Sequence, residues 1–291
     1  NGEDGLFRPK LFCVNPAVNL GEYLKKGRSA VFFSATLLPM NYYRKLLSNR
    51  QDDYGIYVES PFSQKNRCIL NAGDVSSLYS RRGYEEYHKI AEYIARTVWQ
   101  HKGNYMVFFP SYKMLEEVYA VYEEEFSVNW VKCICQNSSM KEQEREEFLQ
   151  EFEQNQESLV AFCIMGGIFS EGIDLLGEKL IGAILVGTGL PQLGNEREIL
   201  RSFYTENGEN GFDYAYRYPG MNKVLQAAGR VIRTREDHGV ILLLDERFRQ
   251  REYSNLFPVE WNDRKTCTLS NVEAQLQKFW ESIPDKISHK L

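Results

Sequence analysis

Three polar side chains in the segment QAAGRVIRT have the type and spacing to bind an anion. Gln226 precedes Arg230 by four residues and Arg233 follows three later, so a helix would place all three on one face. Adjacent guanidinium groups repel unless an anion lies between them, and their planar forks suit phosphate oxygens. Gly229 would leave room there for a bulky group. The segment therefore predicts a phosphate-binding face. The alternative is a pair of surface arginines bridged to nearby carboxylates.

A second candidate is the segment MGGIFSEGIDLLGE, residues 165–178, which follows the apolar run 158–164. Its paired glycines permit close approach of a ligand to the backbone. Ser170, Glu171 and Asp174 would supply acceptors beyond the carboxyl end of a strand, where parallel sheets bind ligands. An ordinary glycine-rich connection between a strand and a helix is the alternative.

Two further segments resemble nucleotide-binding motifs, but both depart from them. GEYLKKGRS, residues 21–29, has one residue too many between its glycines, and Arg28 stands where a phosphate loop needs lysine. VILLLDER, residues 240–247, reads as a strand ending in a magnesium-binding Asp245-Glu246 pair, yet no phosphate loop precedes it. We expect a strand ending in a capped turn there.

The elements that would position these residues alternate between helix and strand from about residue 83. Helix-type periodicity and short apolar runs follow one another through this region. Continuously apolar strands that alternate with helices indicate an α/β fold, a parallel sheet with helices on both faces. Helices are predicted at 83–101, 111–126, 140–153, 194–207 and 220–233, and strands at 104–110, 130–136, 158–165, 180–187 and 239–245. Upstream, a β-α-β unit is predicted within residues 10–36, with a boundary near residue 60.

Composition narrows the class of protein. A net charge of −5 argues against a chain that is basic throughout and coats nucleic acid, although basic residues cluster locally at Arg81 and Arg82. No pair of the six cysteines has C-x-x-C spacing, so we expect free thiols in a reducing cytoplasm and no metal or iron–sulfur site in this chain. No apolar run is long enough to span a membrane.

Five segments, taken in order, resemble the second half of a superfamily 2 helicase motor of the XPD/DinG type. They are SATL (34–37, motif III), VFFPSY (107–112, motif IV), GIFSEGIDLLGEKLIGAILVGTGLP (167–191, motif V and its following strand), QAAGRVIR (226–233, motif VI) and GVILLLDERF (239–248, the closing strand). The resemblance covers most of the chain. It implies a RecA-like fold for residues 61–291. Residues 1–60 would supply the end of the first motor domain, including the motif III strand, and a linker.

The same resemblance implies roles for individual residues. The catalytic set would be Arg233 as the finger on the γ-phosphate, Arg230 and Gln226. Residues of ATP binding and coupling would be Glu171, Gly172, Asp174, Gly229 and Thr36. Residues that contact DNA would be Ser111, Tyr112, Ser170, Arg81 and Arg82. For Tyr112, stacking on a base and packing in the core are both open.

The implied activity is that of an ATP-dependent DNA helicase that translocates 5′→3′ on single-stranded DNA. ATP and Mg²⁺ would be bound mainly by the first motor domain of the same polypeptide, which carries the Walker motifs, so this chain alone is expected to be inactive. An iron–sulfur cluster would belong to an earlier domain. We expect a cytoplasmic protein, nucleoid-associated if bacterial, with no membrane partner. The alternatives are a helicase-derived nuclease subunit and a non-catalytic module that binds nucleic acid or protein.

Overall fold

The computed structural model describes residues 9–48, 50, 52–154, 158–170 and 175–284. The chain divides into two compact units. Residues 1–57 and 192–218 form the first unit, and residues 58–191 and 219–291 form the second. The assignment of residues 1–60 and 61–291 to two motor domains stays a prediction. No helix among the described residues combines the length and apolar character needed to cross a bilayer.

The second unit is built on a seven-stranded parallel sheet with the strand order β3-β4-β2-β5-β6-β1-β7. Its strands are β1 (Arg67–Ala72), β2 (Asn104–Phe109), β3 (Val131–Cys135), β4 (Ser158–Ile164), β5 (Gly182–Val186), β6 (Gly239–Leu244) and β7 (Lys265–Cys267). Nine α-helices are assigned among the described residues: α1 (Ala17–Leu24), α2 (Met40–Leu47), α3 (Tyr84–Val98), α4 (Tyr112–Glu125), α5 (Glu142–Gln150), α6 (Asn195–Glu206), α7 (Tyr218–Ala228), α8 (Arg251–Ser254) and α9 (Val272–Ser282). The predicted α/β class is confirmed.

The central strands of the sheet are buried on both faces. Val107 and Phe109 of β2 lie in one core cluster with residues of α3, α4 and α9. Met106 and Phe108 alternate with them, point to the opposite face, and are equally inaccessible to solvent. This two-sided burial explains why the central strands are continuously apolar rather than alternating.

Helix α4 begins where the sequence predicts. The Ser111 hydroxyl accepts a hydrogen bond from the backbone N–H of Met114 at 3.4 Å, so Ser111 is the helix cap. Helix α7 is fixed at its start by a close approach of two backbones. A Cβ on Gly220 would lie 2.7 Å from the carbonyl oxygen of Thr188, and one on Gly189, whose φ is +68°, would lie 2.5 Å from the carbonyl oxygen of Gly220. Only glycine fits at either position.

The helix predicted over 220–233 ends at Ala228, which corrects the shared helical face. The N–H of Gly229 still donates to the Leu225 carbonyl at 2.9 Å, but the next two N–H groups bond to carbonyls only three residues back. Glycine disfavours continuation of the helix, and the last turn tightens. Arg230 and Arg233 therefore lie in the loop after the helix that carries Gln226.

The first unit is helical where it is regular. No strand is assigned among its described residues, so the motif III strand predicted at 29–36 is not formed there. Phe33 is 90% exposed and Val31 is 83% exposed. An extended segment becomes a strand only when a neighbouring strand satisfies its backbone groups, and none of the described residues does so here.

Helices α2 and α6 of this unit belong to an aromatic cluster that also includes a π-helix at Asp213–Arg217. The rings of Tyr204 and Tyr214 stack with centroids 4.1 Å apart, and Tyr42 meets Tyr214 edge-on at 5.1 Å. Burial raises the pKa of the Tyr42 hydroxyl well above its ordinary value, with smaller contributions from neighbouring tyrosines. The cluster therefore acts as the apolar core of this unit.

Candidate functional site

Asp237 shapes the loop that carries Arg233. One oxygen of its carboxylate accepts the backbone N–H groups of Arg233 and Thr234, both at 2.7 Å, and the other accepts the Thr234 hydroxyl at 2.8 Å. Burial acts to raise the pKa of Asp237, but these bonds and one from the N–H of Gly177 outweigh it and leave the pKa below its usual value. A charged, buried carboxylate thus fixes the backbone while the Arg233 side chain is exposed.

Arg230 connects this loop to the loop after β4. Its Nε–H donates to the backbone carbonyl of Ser170 at 3.1 Å. Ser170 is fully buried, and its hydroxyl donates to the Ile164 carbonyl at 3.1 Å and accepts the N–H of Gly166 at 2.9 Å. The structure therefore joins the segments predicted as motifs V and VI through a guanidinium group. The Ser170 side chain is occupied inside the protein.

A buried glutamine that the sequence analysis missed links three strand ends. Gln136, which directly follows β3, donates from Nε2 to the Tyr112 hydroxyl at 3.1 Å and accepts the N–H of Ile164 at 2.8 Å. Its side chain is only 5% exposed. Tyr112 is half-buried, so its hydroxyl belongs to this network while part of its ring stays accessible. The signal in the sequence that could have identified Gln136 is its position as a polar residue immediately after a predicted strand.

Asp245 closes β6 as a structural group, as the capped-turn interpretation expected. It is fully buried and accepts the backbone N–H and Nε–H of Arg247 at 2.9 and 2.8 Å, and the Ser77 hydroxyl at 2.6 Å. Burial acts to raise the pKa of Asp245, but the Arg247 guanidinium and the Ser77 hydroxyl hold it below its usual value. These contacts use both carboxylate oxygens in holding the turn together.

The segment GEYLKKGRS is not a phosphate loop. Gly21 lies inside helix α1, whereas a phosphate loop joins a strand to the start of a helix. Thr36, in the same unit, takes part in a local turn in which its N–H donates to the Ser34 hydroxyl at 3.2 Å.

The basic pair predicted to contact DNA is held by protein groups. Arg81 forms ion pairs with Glu86 and, at 3.2 Å, with Glu246. The Arg82 guanidinium lies over the ring of Tyr79, 5.4 Å from its centroid. A DNA phosphate at Arg81 would therefore compete with two carboxylates.

Three predicted site residues, Glu171, Gly172 and Asp174, lie outside the described residues. Of the remaining coupling and catalytic candidates, Gln226 is half-buried near the end of α7, and Gly229 is exposed. The structure thus brings Arg230 to Ser170, and Tyr112 to the same strand ends through Gln136.

No cluster of three or more histidine, cysteine or acidic side chains suited to a metal occurs within the described ranges. Burial raises the pKa of the Cys133 and Cys135 thiols to about 12 and that of Cys68 to about 11. These thiols are therefore protonated and weakly nucleophilic at neutral pH.

The second unit thus has an all-parallel α/β sheet, and the loop that carries Arg230 is hydrogen-bonded to the loop that follows β4. Residues 94–264 match the model of the helicase C-terminal domain family, and the chain belongs to that family. The helicase class predicted from the five motifs is thereby confirmed.

The chain is similar to regulator of telomere elongation helicase 1 homologues. It is 28% identical to that of Aedes aegypti and 26% identical to that of Culex quinquefasciatus, in each case over 93% of this chain. It spans only 29% and 30% of the length of these relatives. Among solved structures, an XPD helicase matches with a TM-score of 0.67 and 21% identity, over 87% of this chain and 45% of that one.

Proposed function

We propose that this chain is the C-terminal motor domain of an ATP-dependent DNA helicase that moves 5′→3′ on single-stranded DNA. The first motor domain of the same polypeptide would bind most of the ATP and Mg²⁺. Arg233 and Arg230 would complete the site from this side of the cleft, with Gln226 organising it. The domain alone would be inactive, because an arginine finger stabilises charge only on a phosphate that another site holds.

The observation that carries this proposal is the bond from Arg230 to the Ser170 carbonyl. Arg230 is hydrogen-bonded to the motif V segment, and Arg233 is exposed on a loop whose backbone is bonded to Asp237. A shift of Arg230 on ATP binding or release would therefore displace the segment that contacts DNA. This is a direct route for coupling hydrolysis to movement along the strand.

Contacts with DNA in this scheme come from motifs IV and V, mainly through their backbones. The Ser111 hydroxyl caps α4 and Ser170 is buried, so neither hydroxyl is well placed to make the main contact with DNA. The accessible part of the Tyr112 ring is the best side chain for stacking on a base, a contact worth roughly 1–3 kcal/mol.

Substitution of the proposed finger in the full-length protein tests this function. Arg233→Ala is expected to lower the kcat of DNA-stimulated ATP hydrolysis by about 10³-fold or more while the thermal midpoint of unfolding changes little. Arg235→Ala is the matched control, since it removes another exposed arginine from the same loop, and it should leave kcat within about twofold. Retention of most activity by Arg233→Ala would show that this residue is not the finger.

A further inference from the structure

A polar pocket lies in the second unit, and none of its lining residues belongs to the motif IV, V or VI segments. Its volume is about 260 Å³. It opens where β1 and β7, at one edge of the sheet, meet the segment that follows β6. The polar residues that line it are Asn71, Arg249, Ser254, Asn262, Arg264, Lys265 and Thr266.

The lining carries three cations and no carboxylate. Arg249 and Lys265 are exposed, and neither has an ion pair with any residue that the structure describes. Arg249 lies against Gly73, the residue that follows β1, where a Cβ would come within 2.4 Å of its guanidinium nitrogen. Three neighbouring cations repel one another, so the arrangement favours occupation by an anion.

Arg264 is the best-fixed of the three cations. It donates to the carbonyl of Trp261 at 2.6 Å and to the Ser254 hydroxyl at 3.2 Å, and it lies 4.3 Å from the ring centroid of Phe257. Burial lowers its pKa, and Asp263 only partly offsets that effect. Asp263 itself pairs with Arg67 at 3.8 Å and does not line the pocket.

Asn71 supplies a second, independent sign of a ligand. Its side chain is only 6% exposed and lines the pocket, yet its Oδ1 atom accepts no hydrogen bond from any described residue. It alternates along β1 with Leu70 and Ala72, which belong to the core cluster with α3, so it points to the opposite face. A buried acceptor without a donor is costly unless a bound molecule supplies one.

We propose that this pocket binds a phosphorylated ligand, with its phosphate on Arg249, Arg264 and Lys265 and a hydroxyl or amino group donating to Asn71. Guanidinium groups recognise phosphate oxygens with directional, charge-assisted bonds, and the volume accommodates a phosphate with an attached polar group. A free nucleotide and a nucleotide at the end or within a nucleic-acid strand share this chemistry. The proposal does not depend on the assignment of Arg233 as a finger.

Calorimetric titration of the chain with inorganic phosphate and with adenosine 5′-monophosphate tests the proposal. Both are expected to bind, the nucleotide more tightly because it can also donate to Asn71. Arg249→Ala and Lys265→Ala are each expected to weaken binding by tenfold or more. Both side chains are exposed, so the variants should fold, and circular dichroism would check this. Arg251→Ala, an exposed arginine that does not line the pocket, is the matched control and should change the Kd by less than twofold.

A single-stranded oligothymidylate without a terminal phosphate separates the two sources of the ligand. If the free nucleotide binds and the oligonucleotide is indifferent to Arg249→Ala, the ligand is a small phosphorylated compound. If the oligonucleotide loses tenfold or more in affinity with Arg249→Ala but not with Arg251→Ala, the phosphate is that of a strand. The proposal is wrong if no probe binds in a way that Arg249→Ala weakens more than the control does.

Discussion

Arg230 and Arg233 have different surroundings although they are three residues apart. The Arg230 guanidinium is half-buried and bonds to the Ser170 carbonyl, whereas the Arg233 side chain is exposed and its backbone N–H donates to Asp237. A guanidinium that bridges two loops contributes to folding as well as to any chemistry. We therefore expect the exposed Arg233 side chain to contribute less to the stability of the folded state than Arg230 does.

This difference predicts unequal effects on stability. Arg230→Ala should lower the free energy of unfolding of the chain by about 1–2 kcal/mol, because the carbonyl of the buried Ser170 loses its charged hydrogen-bond donor. Arg233→Ala should change it by less than about 0.5 kcal/mol. Urea denaturation of both variants measures this directly. Equal losses would mean that the bond to Ser170 contributes nothing distinctive.

At the scale of elements, the loop from residue 229 to residue 237 depends on one carboxylate. Asp237→Asn keeps the shape but removes the charge that accepts three N–H or O–H donors from Arg233 and Thr234. We expect a loss of about 1–3 kcal/mol in unfolding free energy at pH 7, measured by urea denaturation.

The same variant should also respond differently to acid. The folded pKa of Asp237 is lowered, so its contribution is fully present above the unfolded value of about 3.9 and is lost as pH falls through the folded pKa. The wild-type chain should therefore lose more stability than Asp237→Asn between about pH 5 and pH 2. Parallel losses in the two proteins would show that this carboxylate is not stabilised by its bonds.

The elements themselves were predictable to different degrees. Strands β2, β4, β5 and β6 were expected because each is a largely apolar run, as burial on both faces requires. Strand β3 was also expected, although Lys132 interrupts its apolar residues and none of them is fully buried. Strand β1, with Arg67 and Asn71, and the three-residue β7 were missed because polar residues interrupt their patterns. The end of α7 was misplaced because Gly229 was interpreted as room for a ligand rather than as the end of the helix. The carboxylate of Asp237, which binds the following loop, also lies outside QAAGRVIRT.

The site was predictable as a set of segments but not as a set of contacts. The order of motifs located Arg230 and Ser170, yet the bond between them joins residues 60 apart and follows from the path of the chain. Gln136 was missed because an isolated glutamine after a strand has no distinctive spacing.

At the scale of the whole molecule, this chain spans about 30% of the length of the curated relatives it matches. Val31 and Phe33 are largely exposed in this chain. They belong to the continuous apolar run of residues 30–33, a pattern that is typical of a strand buried on both faces. The first motor domain would give such a segment the neighbouring strand that it lacks.

Hydrogen exchange in the full-length protein tests this assignment. The amides of residues 29–34 should exchange at least tenfold more slowly there than in the isolated chain, because a paired strand protects its N–H groups. Residues 104–109 of β2 serve as the internal reference and should be protected in both proteins. Equally fast exchange of residues 29–34 in both would remove these residues from the first motor domain.

The most direct test of the central claim is ATP hydrolysis by the 291-residue chain and by the full-length protein, each with and without single-stranded DNA. We expect no turnover by the chain alone and DNA-stimulated turnover by the full-length protein, because this domain would supply arginines to a phosphate site held by another domain. DNA-stimulated hydrolysis by the isolated chain would contradict this proposed function, since it would mean that a complete ATP site lies within these residues.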